Sequence, residues 1–405
     1  MKRIISCIVI TLMIFTFVGC SANKSDKEDL VAFNDYMNAT YHRLNVSSFD
    51  EDINACKENM QDKKVFLLGE NHAVHNNYEL WFELLKYLNQ KEGVTRILIE
   101  GSQSVAYGLN QYLKNGDSEI VKLCFENMSG TYYGNKDEID YWKKIYDFNQ
   151  SLPESNKLEV VGIDVEFQKS NAYSALKDII KNHDNYPDSI KNELKDVIAL
   201  ADKISETIDD GSMVENLLNS LKEKRKDYEE VFGKDYFVFL QIVKNIRNSN
   251  EIMKIQGNNL EFNQARDKIM LENFKTYEEK VPDKKYFGKF GGLHVVKSEQ
   301  EQYKSLAMML NSEYKPFEDK VWSCNIFYYQ CKSFEPQRKK EIVINSMNED
   351  SLYMKHFLGK QEKLAIYLLP KENSPFDSKS IRGWNLPEMY DAVIFMKDSP
   401  QSNPL

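Results

Sequence analysis

The sequence predicts an α/β fold, a mainly parallel sheet flanked by helices with a helical insert, on three observations. Val65-Phe66-Leu67-Leu68 is a short apolar run between Lys64 and Gly69, the pattern of a buried strand. Residues 78–88 then place Leu80, Trp81, Leu84, Leu85 and Leu88 at helical spacing, and residues 94–99 form a second apolar run. Strand, helix and strand thus follow within about 35 residues, a βαβ unit whose strands run parallel. Between residues 172 and 255 the chain becomes a long charged stretch of helical periodicity with no convincing strand, which reads as a helical insert packed over the sheet.

Each element has a local cause. Residues 30–44 carry apolar side chains at helical spacing, and Gly93 stops the helix 78–88. Further apolar runs of strand length lie at 158–163, 285–290, 364–369 and 392–396. Inside the insert, helices are expected at 194–208 and 214–228, their Lys- and Glu-rich faces being solvated surface.

The N terminus reads as an export signal. Met1-Lys2-Arg3 precedes an apolar run from Ile4 to Val18, then Gly19-Cys20 and the polar Ser21-Ala22-Asn23-Lys24. The run is shorter than the roughly 20 residues of a comfortable membrane span. Phe17-Val18-Gly19-Cys20 resembles a bacterial lipobox, so residues 1–19 are expected to be a lipoprotein signal peptide, Cys20 the lipidated residue, 20–29 a tether and 30–405 the folded domain. That assignment places the protein at the cell membrane, lipid-anchored on the extracytoplasmic face.

Composition narrows the function further. Lys and Arg number 53 against 62 Asp and Glu, a formal net charge of −9, with both signs interleaved, and this pattern excludes nucleic acid as a partner. Cys56, Cys124, Cys324 and Cys331 show none of the paired spacings of zinc sites, so no metal is assigned. Cys324 and Cys331 read as buried small apolar residues, with a disulfide between them the alternative that export permits.

In a parallel sheet, ligands bind beyond the carboxyl ends of the strands, so polar residues placed directly after strands are the first candidates. After residues 65–68 come Gly69-Glu70-Asn71-His72, then His75 and Asn76; after 94–99 come Glu100-Gly101-Ser102. Residues 158–163 are followed by Asp164 and Glu166, and 285–290 by Gly291-Gly292-Leu293-His294. Two imidazoles and several carboxylates on one rim suit general acid/base hydrolysis, which needs a group titrating near neutral pH and a carboxylate to orient it. His42, His183 and His356 stand in polar or helical contexts and are read as incidental. Asn263, Arg266, Met270 and Asn273 share one face of a helix, with Asp267 beside it, and a buried face holding arginine and asparagine builds something polar.

These residues together resemble the erythromycin esterase-like family. The resemblance is carried by Gly69-Glu70-Asn71-His72, the strand ending in Glu100, Leu109-Asn110-Gln111-Tyr112-Leu113 before Gly116-Asp117, and Gly162-Ile163-Asp164. It continues through the stretch from Arg266 to Asn273, Gly292-Leu293-His294 and the closing Tyr390-Asp391-Ala392-Val393-Ile394-Phe395. The order is collinear over most of the chain and weakest in the helical insert. The resemblance implies a cleft with Glu70, His72, Glu100 and His294 as catalytic residues, working without a metal as a histidine activates water. The family places two residues between its first glutamate and histidine where this chain has one, which makes His75 a candidate to share the part of His72.

From this reading His75, Asp164, Arg266 and Asn273 are expected to bind substrate, and the reaction to be hydrolysis of an ester or related acyl bond in a small-molecule or envelope-derived substrate. His294 would assist at the leaving group or oxyanion. No Gly-x-Ser-x-Gly elbow is present, which disfavours a serine nucleophile. No cofactor is expected. The alternatives are a haem-binding (ChaN-like) lipoprotein, which the Gly69-Glu70-Asn71-His72 turn and the many tyrosines also suit, and a metal-dependent surface hydrolase related to TraB/TIKI-type proteins.

Overall fold

The computed structural model describes residues 24–181, 186–203, 209–300, 302–372, 374–377 and 384–405. The expected signal peptide, Cys20, His183 and residues 204–208 of the expected helix 194–208 lie outside the described residues. Among the described residues no helix is long and apolar enough to cross a membrane.

Ten strands are described: β1 Tyr41–Arg43, β2 Val65–Glu70, β3 Arg96–Ser102, β4 Glu159–Asp164, β5 Tyr286–Gly291, β6 Val321–Tyr329, β7 Cys331–Glu335, β8 Lys340–Ile344, β9 Leu364–Leu368 and β10 Ala392–Lys397. Eight form a mainly parallel sheet in the order β1-β9-β10-β6-β2-β5-β3-β4, and β7 and β8 form a separate hairpin. With helices flanking the sheet, the fold is α/β, as the sequence predicts. The chain divides into two compact units.

The first unit is Gly93–Gly288 with Pro404–Leu405. Here β3 and β4 pair in parallel, Ile97 opposite Val160 and Ile99 opposite Gly162, until the register slips between Ile99 and Ser102. That bulge redirects the chain at Glu100 and Gly101. Gly162 is required beside it, since a Cβ there would lie 2.1 Å from the Ser102 carbonyl oxygen.

The helical insert is present as helices Lys169–Lys181, Asp188–Ala201, Gly211–Glu223, Arg225–Phe232 and Tyr236–Ile252. They share a core that includes Ile179, Leu194, Val197, Leu217, Phe239 and Ile242. The single helix expected at 214–228 is two helices. The break falls at Lys224, whose backbone (φ −108°, ψ 30°) leaves the helical region and whose Nζ donates to the Ser189 carbonyl at 2.6 Å. Helix Asn259–Lys280 follows, its start capped by the Asn258 side chain.

The second unit comprises the described residues up to Glu92 together with Lys289–Asn403. Its strands run β1-β9-β10-β6-β2; β10, β6 and β2 are parallel, whereas β9 runs antiparallel to both β10 and β1. Thus β2 pairs with β6 and β3 with β4, each with a partner from much later in the chain, and the predicted βαβ unit does not pair its two strands with each other. The helix expected at 30–44 is Lys24–Ala39, and Tyr41–Arg43 leaves it to pair with Tyr367, Ile366 and Ala365 of β9. Backbone pairing at the sheet edge overrides the local helical spacing there. Helix Asn76–Tyr87 ends in a π turn, Leu88–Glu92, before Gly93 at φ +75°. Cys56, Cys124, Cys324 and Cys331 are buried and free, so the Cys324–Cys331 bridge is absent.

Candidate active site

The end of β2 builds the first cluster, in the second unit. All six residues of Val65–Glu70 are buried, so the strand delivers the Glu70 carboxylate into a protected position. The chain then turns, and His72, also buried, brings Nδ1 to 2.6 Å from Glu70 Oε1. The other carboxylate oxygen accepts from Asn77 Nδ2 at 2.8 Å, in the first turn of helix Asn76–Tyr87. Asn77 is itself fixed: Nδ2 also donates to the Asn71 carbonyl at 3.0 Å, and Oδ1 accepts from the Tyr328 hydroxyl at 2.9 Å. The Tyr328 oxygen in turn accepts the Asn71 amide at 3.2 Å. Burial, with Glu70 nearby, pushes the Tyr328 phenol well above its ordinary pKa, so it stays a neutral donor. In this contact an Nδ1–H of His72 is the donor and the Glu70 carboxylate the acceptor.

His294 lies buried in the 3-10 turn Gly292–Val295 that follows β5. This turn packs against the end of β2: a Cβ on Gly69 would lie 3.1 Å from Gly292 Cα and 2.4 Å from Val295 Cγ2. Glycine at position 69, directly before Glu70, is therefore what lets the turn carrying His294 approach. The turn is held from below by the Ser323 hydroxyl on the Val295 carbonyl and the Ser305 hydroxyl on the Val296 carbonyl. His75 is exposed and starts the helix, with its amide donating to the Pro400 carbonyl at 2.9 Å; the imidazole bonded to Glu70 is that of His72.

The second cluster lies in the first unit, at the ends of β3 and β4. Arg266 Nε is 3.0 Å from both oxygens of Asp164, Nη2 also bonds Asp164, and Nη2 is 2.8 Å from Glu100 Oε1. All three groups are buried. Burial works against the guanidinium charge, but Asp164 and Glu100 outweigh it and raise the pKa well above the ordinary value. The Arg266 guanidinium also lies 5.5 Å from the centre of the Phe167 ring.

Asn273 braces this region from the same helix, its Nδ2 donating to the Ile163 carbonyl at 2.7 Å and to Asn245 Oδ1 at 3.0 Å. Behind the bulge, Glu166 accepts from the Ser104 amide at 2.9 Å and the Ser104 hydroxyl at 2.5 Å, and Ser104 Oγ is 3.0 Å from Ser102 Oγ. Burial is the main cause that pushes the Glu166 carboxyl up to about 7.

Of the residues that the sequence singles out, Glu70, His72, Glu100, Asp164, Arg266 and His294 are buried, and the bonds around Glu70 add Asn77 and Tyr328, which the sequence reading does not name. The signal for Asn77 was its place in the helix directly after the turn; Tyr328 sits on β6, a strand the sequence reading does not contain. Among the described residues no group of three or more His, Cys, Asp or Glu side chains is arranged to hold a metal ion.

The erythromycin esterase family model matches residues 90–287. Over that stretch the chain is similar to the erythromycin esterase family. The matched stretch contains Glu100, Asp164, Arg266 and Asn273, whereas Glu70, His72 and His294 lie outside it. Solved structures share the fold of the chain. A protein from Bacillus cereus is 17% identical, with a TM-score of 0.68 over 93% of this chain and 99% of that one. A succinoglycan biosynthesis protein is 14% identical, with a TM-score of 0.68 over 95% of this chain and 100% of that one. A histidine-to-asparagine mutant of the erythromycin esterase EreC, in its open conformation, is 15% identical, with a TM-score of 0.65 over 90% of this chain and 98% of that one. At these identities the likeness is one of fold. The search of curated proteins found no match.

Proposed function

We propose that this protein hydrolyses an ester or related acyl bond in a small-molecule or envelope-derived substrate, with His72 as the general base. The observation that carries the reading is the buried 2.6 Å contact between His72 Nδ1 and Glu70 Oε1. A carboxylate that fixes the tautomer and orientation of an imidazole is what a general base needs. In the step proposed, His72 Nε2 takes a proton from water as the water oxygen attacks the acyl carbon. The tetrahedral intermediate then expels the alcohol oxygen, which takes that proton back from the imidazolium. Glu70 keeps its bond to Nδ1 throughout and stabilises the transient positive charge. The family match supports hydrolase chemistry, and the resemblance supplies the parts of Glu100 and His294, each open to test by its own variant.

The N-terminal sequence supports the location: export, lipidation of Cys20 and attachment to the extracytoplasmic face of the cell membrane. A panel of chromogenic esters tests the chemistry. The wild type is expected to hydrolyse at least one ester equally with and without chelator, and His72→Gln to lower kcat by roughly 10²- to 10⁴-fold while the far-UV spectrum is kept. Equal rates in wild type and His72→Gln would remove the proposal, and loss of activity with chelator would replace it with metal-assisted hydrolysis. A Soret band on haemin titration, with no ester turned over, would favour the haem-binding alternative.

A further inference from the structure

The loop that carries His72 is tied down along its length by chain segments remote in sequence. The Asn71 amide donates to the Tyr328 hydroxyl, and the His72 carbonyl accepts from the buried Ser333 hydroxyl at 2.7 Å. The Ala73 carbonyl accepts the Ser402 amide at 2.9 Å, and Val74 forms an antiparallel bridge with Gln401. The His75 amide donates to the Pro400 carbonyl at 2.9 Å, and the Asn76 amide to Ser399 Oγ at 3.0 Å. Residues 399–402 are themselves anchored on β7, where the Lys332 amide donates to the Ser399 carbonyl at 2.8 Å and the Ser399 amide to Cys331 Sγ at 3.4 Å.

Two facts say that this bracing is directed at the loop. Ala73 sits at φ +59°, in the left-handed region that a residue with a Cβ enters at a cost, so local preference does not hold the turn. In the strap, Gln401 Oε1 and Ser402 Oγ are buried with no hydrogen-bond partner among the described residues, a cost set against the bonds that the strap makes to the loop. Those bonds are main-chain to residues 73–75 and run through Ser399 Oγ to the Asn76 amide. Because the His72 and Ala73 carbonyls and the His75 and Asn76 amides are the atoms gripped, the backbone from which the imidazole departs toward Glu70 is held by residues 333 and 399–402.

We propose that residues 399–402 and the Ser333 hydroxyl are positioning elements for His72, holding its backbone so that Nδ1 meets Glu70. The kinetic consequence rests on the hydrolytic reading above; the geometric one does not. Ser333→Ala deletes the hydroxyl on the His72 carbonyl, and Ser402→Pro deletes the amide proton on the Ala73 carbonyl. Tyr286→Phe, which loses a buried bond to Glu278 in the first unit, serves as a control that weakens the fold elsewhere. The first readout is the low-field proton NMR signal of the His72 Nδ1–H, assigned by its absence in His72→Gln.

Ser333→Ala and Ser402→Pro are expected to shift or broaden that signal in folded protein, and Tyr286→Phe to leave it in place. On the ester that the wild type hydrolyses, the two loop variants are expected to lose about tenfold or more in kcat with KM within about twofold, the pattern of a misplaced base. A signal unchanged in Ser333→Ala overturns the proposal, and so does a wild type with no such signal. If Ser402→Pro does not fold, Ser333→Ala decides alone. If the signal moves although no ester is hydrolysed, the positioning stands and the hydrolytic reading fails.

Discussion

At the end of β2 a carboxylate meets an imidazole; at the ends of β3 and β4 two carboxylates meet a guanidinium. Both clusters are buried and both use the carboxyl ends of strands, yet they are chemically opposite. Glu70 is bonded to an imidazole, and its remaining oxygen is taken up by the neutral amide of Asn77. Asp164 and Glu100 are bonded to a side chain whose charge is permanent, and whose pKa they raise further. The first arrangement sets a carboxylate against an imidazole, and the second sets two carboxylates against a fixed positive charge. The lesson is that the partner of each buried carboxylate decides its chemistry.

The comparison is broken most forcefully by deleting the guanidinium. Arg266→Met leaves Asp164 and Glu100 buried without their cation, and unfolding by urea is expected to show a loss of about 3–5 kcal/mol. A loss below about 1 kcal/mol would mean that the cluster is more solvated than its geometry implies. A smaller effect sharpens the contrast through Glu166, which has hydroxyl and amide donors where Asp164 has an arginine. Its folded carboxyl, pushed up to about 7 chiefly by burial, holds a proton that the unfolded chain releases near 4.5. Between those values the folded state binds more protons, so this group makes stability fall as pH rises through the window. Glu166→Gln is expected to flatten that part of the stability–pH curve between pH 4.5 and 7, measured by chemical unfolding at several pH values. An unchanged slope would count against a proton on Glu166.

Much of this was legible in the sequence, for physical reasons that differ from residue to residue. Glu70, His72, Glu100 and Asp164 directly follow or end apolar runs, and a strand end in a parallel sheet is where polar side chains gather. Arg266 was visible because a helix face combining Arg266, Met270 and Asn273 cannot be simple core. What escaped is mostly on β6. Its residues are buried almost throughout, so they show no alternation, and Ser323, Cys324 and Asn325 interrupt the apolar run. With β6 unseen, Tyr328 had no strand to stand on, and the network joining Asn71, Asn77 and Tyr328 stayed hidden. The strap at residues 399–402 was unreadable for another reason: Ser399-Pro400-Gln401-Ser402 is short and polar, and all but one of its bonds to the loop, that of Ser399 Oγ, are main-chain bonds that carry no sequence signature.

The central claim is that Glu70 acts through His72, and a double-mutant cycle on kcat/KM tests it most directly. If Glu70 serves only to orient and charge-stabilise the imidazole, Glu70→Gln lowers the rate in the wild-type background and changes little in His72→Gln, so the double variant matches His72→Gln alone. If the two losses multiply instead, the carboxylate and the imidazole work independently, and the pair seen at the end of β2 is not the catalytic unit.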